Sequence, residues 1–340
     1  MSMTSLHKIA LIGGSGFIGT RLMGDLLQDG HDVRIGDIAP SEAYPDYRVE
    51  ADVRELESLL QACADCDTII NLAAAHRDNV RPVSLYYDTN VTGARMSVAV
   101  AEKLGIQRII FTSSVAVYGH QHGEPDETFP HLPINAYGET KSQAEDVFNE
   151  WVKEDPENRT LVVVRPAVVF GPTNRGNVHT LMDQIVKGRF IMVGNGENKK
   201  SMAYVGNVAA FLKFSLGLPC GHHVFNYADK PDMSMIRLVD MICDRIGLPH
   251  VTGLRMPKIL GLGAGMIFDV ISRVTGKNLP ISRVRVEKFC ASTAFKADRV
   301  QKSGFIPPYK LEDALIETID AEFKSSKSTS QKTSPEKAVG

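Results

Sequence analysis

Along the first half of the chain, short apolar runs alternate with amphipathic stretches. Residues 9–12 form an apolar run that passes directly into an amphipathic segment over 17–27. Further runs lie at 33–36, 67–72, 107–112 and 161–164. The last holds three consecutive valines, as a strand buried on both faces does. Between them a 3.6-residue period predicts helices over 55–64, 81–104 and 136–152. This alternation predicts an α/β fold, a Rossmann-type doubly wound parallel sheet. Beyond residue 171 the pattern loosens. Helical stretches at 178–187, 205–216 and 235–246 and a strand at 224–227 predict a smaller mixed α/β C-terminal domain. The expected division is a Rossmann domain over 1–172, with 205–227 packing back on it, and a mainly substrate-binding domain over 173–323. The tail, 324–340, is Lys, Ser, Thr, Gln and Pro with almost no core formers, and is expected to be disordered.

Composition narrows the class. The 340 residues carry a formal charge of −2, which gives no global field for nucleic acid or membrane. Five cysteines, few and odd in number, predict a reducing compartment. The first residues lack a signal-peptide core, and no apolar run approaches the ~18 residues of a membrane span, so a cytoplasmic protein is expected. Cys63 and Cys66 form a CxxC without a second pair and read as small packed residues on a helix end. His222 and His223 lack a third ligand and read as a turn before a strand; no metal is expected. Trp151, the only tryptophan, is expected to pack at the end of its helix.

Candidate chemistry begins where the first run ends. Gly13, Gly16 and Gly19 are spaced by three between a strand and a helix, the pattern that brings a pyrophosphate against main chain and a helix N-terminus. Asp37 ends the second strand eighteen residues after Gly19, where a carboxylate takes the adenosine ribose and repels a 2′-phosphate, favouring NAD over NADP. Asp52 and Val53, after the next strand, are placed to flank the adenine. Tyr137 and Lys141 share one helix face at i, i+4. A free phenol titrates at about 10, and a neighbouring ammonium and a cationic nicotinamide bring it into range as a general base. Ser113 and Ser114 follow a parallel strand, where open α/β sheets place ligands, and either hydroxyl could share a substrate oxygen with Tyr137.

These residues occur with Asn71-Leu-Ala-Ala-Ala75, Asn90-Val-x-Gly93, Ser113-Ser-Val-Ala-Val-Tyr-Gly119, Arg165-Pro-x-x-Val-Phe-Gly-Pro172 and Gly194-Asn-Gly196. In this company, residues 8–323 resemble the extended short-chain dehydrogenases/reductases, in the branch of NAD-dependent sugar epimerases and dehydratases. The resemblance implies Ser114, Tyr137 and Lys141 as the catalytic trio, with Asn90 in support. It implies an NAD site formed by Gly13, Ser15, Gly16, Phe17, Ile18 and Gly19, then Asp37, Asp52 and Val53. Leu72, Ala73, Ala74, Asn90, Pro166 and the Tyr137–Lys141 pair complete it. It also implies a homodimer formed through the helices at 81–104 and 136–152.

The residues just after Ser114 narrow the branch. Sugar-nucleotide 4,6-dehydratases carry an Asp-Glu pair there and decarboxylating relatives a Glu; this chain has Val115 and Ala116, which transfer no protons. A 4-epimerase remains. Where similar nucleotide-sugar epimerases have Asn and Arg, this chain has Val168 and Lys200, which puts the nucleotide moiety in doubt. Ala75-His-Arg-Asp78, Arg175-Gly-Asn177, Lys200-Ser-Met-Ala-Tyr-Val-Gly206 and Val284-Arg-Val-Glu-Lys-Phe-Cys290 resemble bacterial 4-epimerases of N-acetylglucosaminyl-diphospho-undecaprenol, which serve surface polysaccharides such as O-antigen. The implied substrate is a sugar diphosphate, lipid-linked first and UDP-linked (UDP-glucose or UDP-GlcNAc) second, with an NAD(P)H-dependent sugar reductase as the other alternative. Candidate substrate residues are His76, Arg77, Ser113, Ser114, Asn177 and Lys200. Residues 251–302 hold ten Lys/Arg against three acids, a local +7. Within them the uncharged run 259–268 is a candidate for lying in an anionic membrane interface, with 255–288 as the contact region and the cytoplasmic face of the inner membrane as its place.

Overall fold

The computed structural model describes residues 6–77, 79–119, 123–250, 255–257, 259–260, 266 and 290–324. Most of the candidate membrane-contact region 255–288, the tail beyond 324, and Asp78 lie outside the described residues. No helix among the described residues is long and apolar enough to cross a membrane. The chain divides into two compact units. The first comprises Met1–Val169, Ala203–Ala228 and Phe295–Tyr309, and the second Phe170–Met202, Asp229–Ala294 and Lys310–Gly340.

In chain order the strands are β1 (Lys8–Ile12), β2 (Asp32–Asp37), β3 (Arg48–Glu50), β4 (Thr68–Asn71), β5 (Arg108–Thr112) and β6 (Thr160–Pro166). They continue with β7 (Val168–Phe170), β8 (Met192–Val193), β9 (Lys199–Tyr204), β10 (Gly221–Tyr227), β11 (Asp229–Ser234) and β12 (Arg255–Met256). The helices that frame the first unit are α1 (Phe17–Gln28), α2 (Leu56–Ala62), α3 (Ser84–Tyr86), α4 (Gly93–Leu104) and α5 (Ala136–Glu154). Later in the chain come α6 (Asn177–Val186), α7 (Val205–Phe214) and α8 (Met235–Ile246).

Seven strands form one parallel sheet in the order β10-β6-β5-β4-β1-β2-β3. The order reverses between β1 and β4, and that reversal opens a crevice at the carboxyl ends of the strands. The two-residue period of β1 splits its side chains between two cores. Ile9 and Leu11 pack with α1 and α7 through Leu22, Val208 and Phe211; Ala10 and Ile12 pack with α2, α4 and α5 through Leu59, Ala94 and Phe148. Phe305, from the third segment of the first unit, stacks its edge on Phe211 and meets Phe214. This contact brings Phe295–Tyr309 into the first unit, apart from the 173–323 span in which periodicity places it. Trp151 is buried in the second of these cores, with the Arg159 guanidinium over its ring.

Two local expectations change. The helix over 81–104 starts only at Ser84, and Tyr87–Thr92 forms a π-helical turn before α4. His222 and His223 sit on β10, not in a turn before it, because the pairing of β10 with β6 extends back to Gly221 and Thr160. Cys63 is buried and Cys66 half-buried beneath α2. Burial pushes their thiols up to about 12 and about 11, which leaves them inert near neutrality.

The second unit carries α6, α8, the helix Leu311–Ile319, all of β11 and residues 199–202 of β9. In it, Met202, Lys200 and Lys199 of β9 pair antiparallel with Asp229, Met233 and Ser234 of β11. These strands read Lys-Lys-Ser-Met-Ala-Tyr and Asp-Lys-Pro-Asp-Met-Ser, too polar for a hydrophobic pattern to reveal.

Candidate active site

The glycine loop joins β1 to α1. Gly13 has φ +75°, and a Cβ there would lie 2.6 Å from the backbone nitrogen of Ala73, so the loop after β4 presses directly on the turn. A Cβ on Gly19 would lie 2.5 Å from Gly14, which fixes helix against turn. Gly16 differs. It is the N-cap of α1 with no side-chain cap, and a Cβ there would meet only the Gly13 oxygen, at 3.3 Å. The protein's own packing thus explains the first and third glycines, whereas the space kept clear at Gly16 suits an anion at the helix N-terminus. Asp37 stands beside this loop: its two carboxylate oxygens accept from the N–H groups of Ser15 (3.0 Å) and Ala39 (2.9 Å). Each oxygen keeps a lone pair for a ribose hydroxyl. Ser15, Phe17 and Ile18 lie at the same helix mouth. Opposite it run Leu72, Ala73 and Ala74, ordered by the Asn71 side-chain oxygen on the N–H of Ala73. These residues fit an NAD.

Asp52 is less available. Its carboxylate is paired with Arg54, and that pairing holds it below the usual carboxylate range. Val53 is buried under Gly93, where a Cβ would meet the valine at 2.9 Å. The two candidates for flanking an adenine are therefore a neutralised pair and a packed valine.

The trio is assembled by α5. Asn135 caps the helix by accepting the N–H of Gly138 at 2.8 Å, which places Tyr137 in its first turn. A Cβ on Gly138 would lie 2.5 Å from the carbonyl oxygen of Ala116, so the start of α5 is pressed against the turn after Ser114. Ser114 caps that 3₁₀ turn: its Oγ accepts the N–H of Ala116 at 3.1 Å, which leaves the hydroxyl proton to donate elsewhere. One turn along α5, Lys141 is only 2% exposed, and its Nζ donates to the carbonyl of Thr112 at 2.8 Å. Burial pushes this ammonium down to about 7, against the pull of Glu145 one turn further on. Asn90, on the π-turn, pairs with both backbone groups of Ala75 and donates to Thr140 Oγ1 at 2.9 Å. It ties the loop after β4 to α5.

Ser113 is set apart from the substrate candidates. It is buried, and its hydroxyl donates to Glu145, so the two serines divide: Ser113 faces the core and Ser114 the crevice. Glu145 also receives Arg165 in bidentate fashion, Nε at 2.9 Å and Nη2 at 2.5 Å. Neither residue stands out in the sequence as functional. The signal that could find them is the i+4 step from Lys141 to Glu145, combined with an arginine directly after three consecutive strand valines. Pro166 closes that strand. His76 and Arg77 are exposed on the loop after β4. In the second unit, Asn177 begins α6 and is exposed. There too Lys200 Nζ donates to the carbonyl of Ala291 at 2.6 Å, and burial pushes it down to about 8. Arg175 of the same unit pairs with Glu322, whose carboxylate also accepts the N–H of Thr173.

Known proteins are similar to this chain in sequence and fold. The NAD dependent epimerase/dehydratase family matches residues 9–226. An N-acetyl-alpha-D-glucosaminyl-diphospho-ditrans,octacis-undecaprenol 4-epimerase of Escherichia coli O157:H7 is 47% identical over 321 residues, 94% of this chain and 96% of its own. Among solved structures, the UDP-N-acetylglucosamine 4-epimerase from Methanobrevibacter ruminantium M1, in complex with UDP-N-acetylmuramic acid, superposes with a TM-score of 0.73. It is 21% identical and covers 94% of this chain and 99% of its own. The Thermus thermophilus UDP-glucose 4-epimerase complex with NAD gives 0.71 at 17% identity, over 92% and 98%. At such identities the structural likeness establishes the fold.

Proposed function

The chain belongs to the NAD dependent epimerase/dehydratase family, and on that premise we propose that it is a 4-epimerase of an N-acetylhexosamine carried on undecaprenyl diphosphate, acting in surface polysaccharide synthesis. The observation that carries the reaction type is the turn after Ser114. Val115 and Ala116 offer no acid or base, and the N–H of Ala116 is spent on holding Ser114 Oγ. Only the Tyr137 phenol remains in the trio to exchange a proton with substrate, which suffices when proton and hydride return to the atoms they left. The substrate class is supported by the 47% identical relative, whose likeness runs through both units.

NAD, held by the glycine turn and Asp37, would supply the hydride acceptor for C4 and the hydride for its return. The chain's own residues do the rest. Tyr137 takes the proton of the 4-hydroxyl and later gives one back. Lys141, held by Thr112 within one helical turn, lowers the cost of the phenolate by its charge. Ser114, its lone pair engaged by Ala116, donates its hydroxyl proton to the substrate oxygen and orients it. Asp37 keeps a 2′-phosphate out of the ribose site by like charge. The same reading includes a homodimer and a peripheral position on the cytoplasmic face of the inner membrane, where the +7 balance of 251–302 favours anionic lipid.

The test is product analysis with lipid-linked GlcNAc and with UDP-GlcNAc in parallel, without added reductant. Conversion of the lipid-linked sugar to its GalNAc epimer is expected. Activity on the nucleotide alone moves the reading to a UDP-sugar epimerase; in a second assay with NADH added, its consumption at each turnover makes the protein a reductase.

A further inference from the structure

Tyr137, Lys141 and Glu145 stand on one stripe of α5 at i, i+4 and i+8, and two of them grip consecutive residues where β5 ends. Lys141 takes the carbonyl of Thr112, and Glu145 takes the hydroxyl of Ser113. Ser114 is the next residue and the first beyond the grip. Glu145, 1% exposed, is itself fixed by the two-pronged contact from Arg165. Arg165 in turn donates to the Tyr118 hydroxyl at 2.7 Å, and that hydroxyl donates to Asn226 at 2.7 Å. Asn226 reaches the carbonyls of Pro125 (3.3 Å) and Lys296 (3.1 Å). A buried polar chain thus runs from the carboxyl end of β10, through β6, to the serine turn.

We propose that Glu145 is a positioning residue of this centre: clamped by Arg165, its carboxylate holds Ser113, and through it Ser114, in register with α5 and supplies the negative charge that balances the Lys141 ammonium. The inference rests on the reading of Tyr137 and Lys141 as the proton-transfer pair. A buried carboxylate beside an arginine is costly unless both are satisfied, and here the carboxylate accepts from the Ser113 hydroxyl just beyond β5 and from two nitrogens of Arg165 on β6. Burial alone drives Lys141 toward neutrality, and Glu145 is the group that opposes it.

The groups around the carboxylate are few. Arg165 faces it from β6, Tyr118 from the 3₁₀ turn, and His131 Nε2 lies 3.8 Å away on the loop before α5. His222 on β10 feels its charge, and Lys141 and Asp146 flank it on its own helix. Burial lowers both histidines from the ordinary value, so they titrate on the acid side and do not shape an alkaline limb. At neutral pH the charge is shared between Arg165 and Lys141.

The test is the pH dependence of kcat for the holoenzyme with Glu145→Gln, Glu145→Asp and the double variant Glu145→Gln/Arg165→Met. The double variant removes both buried charges, so a fold lost through an unpaired arginine in the single variant is kept. Activity needs a charged Lys141, and losing the carboxylate makes that charge harder to hold. The alkaline limb is expected to move down by about one pH unit in the single and double variants, with kcat falling and KM little changed. Glu145→Asp keeps the charge and should keep the limb in place while losing rate through shorter reach. An unmoved limb in every folded variant overturns the proposal and leaves Glu145 a structural group. An inactive wild type would instead overturn the 4-epimerase reading.

Discussion

At the carboxyl ends of β1 and β2 the binding groups are backbone N–H groups and one carboxylate, set in a turn that keeps side chains out. At the carboxyl ends of β5 and β6 they are the buried charges of Lys141, Glu145 and Arg165 and the Ser113 hydroxyl, held by one another and by the Thr112 carbonyl. The first region fails by crowding: a Cβ at Gly13 would lie 2.6 Å from backbone. The second fails by loss of a partner, since Lys141, Glu145 and Arg165 are all buried and each is held in place by its neighbours. On the proposed reading, holding the cofactor depends on shape along a short stretch of chain, whereas proton transfer depends on electrostatics assembled from distant ones.

The two regions can be separated by substitution. Tyr137→Phe removes the proton-transfer group without touching the glycine turn. We expect kcat to fall by roughly 10²–10⁴-fold while the purified protein still carries its NAD, measured by turnover and by cofactor release on denaturation. A parallel loss of cofactor would mean that the regions are not independent. Gly13→Ala makes the opposite cut. The strained φ and the clash with Ala73 should cost about 1–3 kcal/mol and strip the cofactor before chemistry is affected. Gly105→Ala is its control: φ is +70° there too, but nothing lies within 4 Å, so the cost should be about 1 kcal/mol with cofactor retained. If both glycine variants behave alike, close approach is not what Gly13 provides.

The contrast also explains what can be read from the sequence. Gly13, Gly16, Gly19 and Asp37 lie within twenty-five residues, and the spacing of the turn is the site, so it is legible. Tyr137 and Lys141 are legible for the same reason, being one helical turn apart. The separation of Ser113 from Ser114 is not, because it depends on Glu145, thirty-two residues away, pulling one hydroxyl into the core. The sequence places Asp52 to flank an adenine, yet Arg54, two residues on, neutralises it. The parallel sheet announces itself through Val162–Val164 and its equivalents. The short polar strands β9 and β11 give no such signal, since their pairing is carried by backbone and by the Ser201 hydroxyl on Asp232 across the two strands.

The central claim is that C4 loses and regains the same hydrogen while Tyr137 handles only the proton on oxygen. It is tested most directly with lipid-linked GlcNAc carrying deuterium at C4, turned over in ordinary water without added reductant. The account predicts GalNAc product with the deuterium retained in full at C4. Replacement of that deuterium by solvent hydrogen would contradict it, because the epimerisation would then proceed by proton abstraction from carbon.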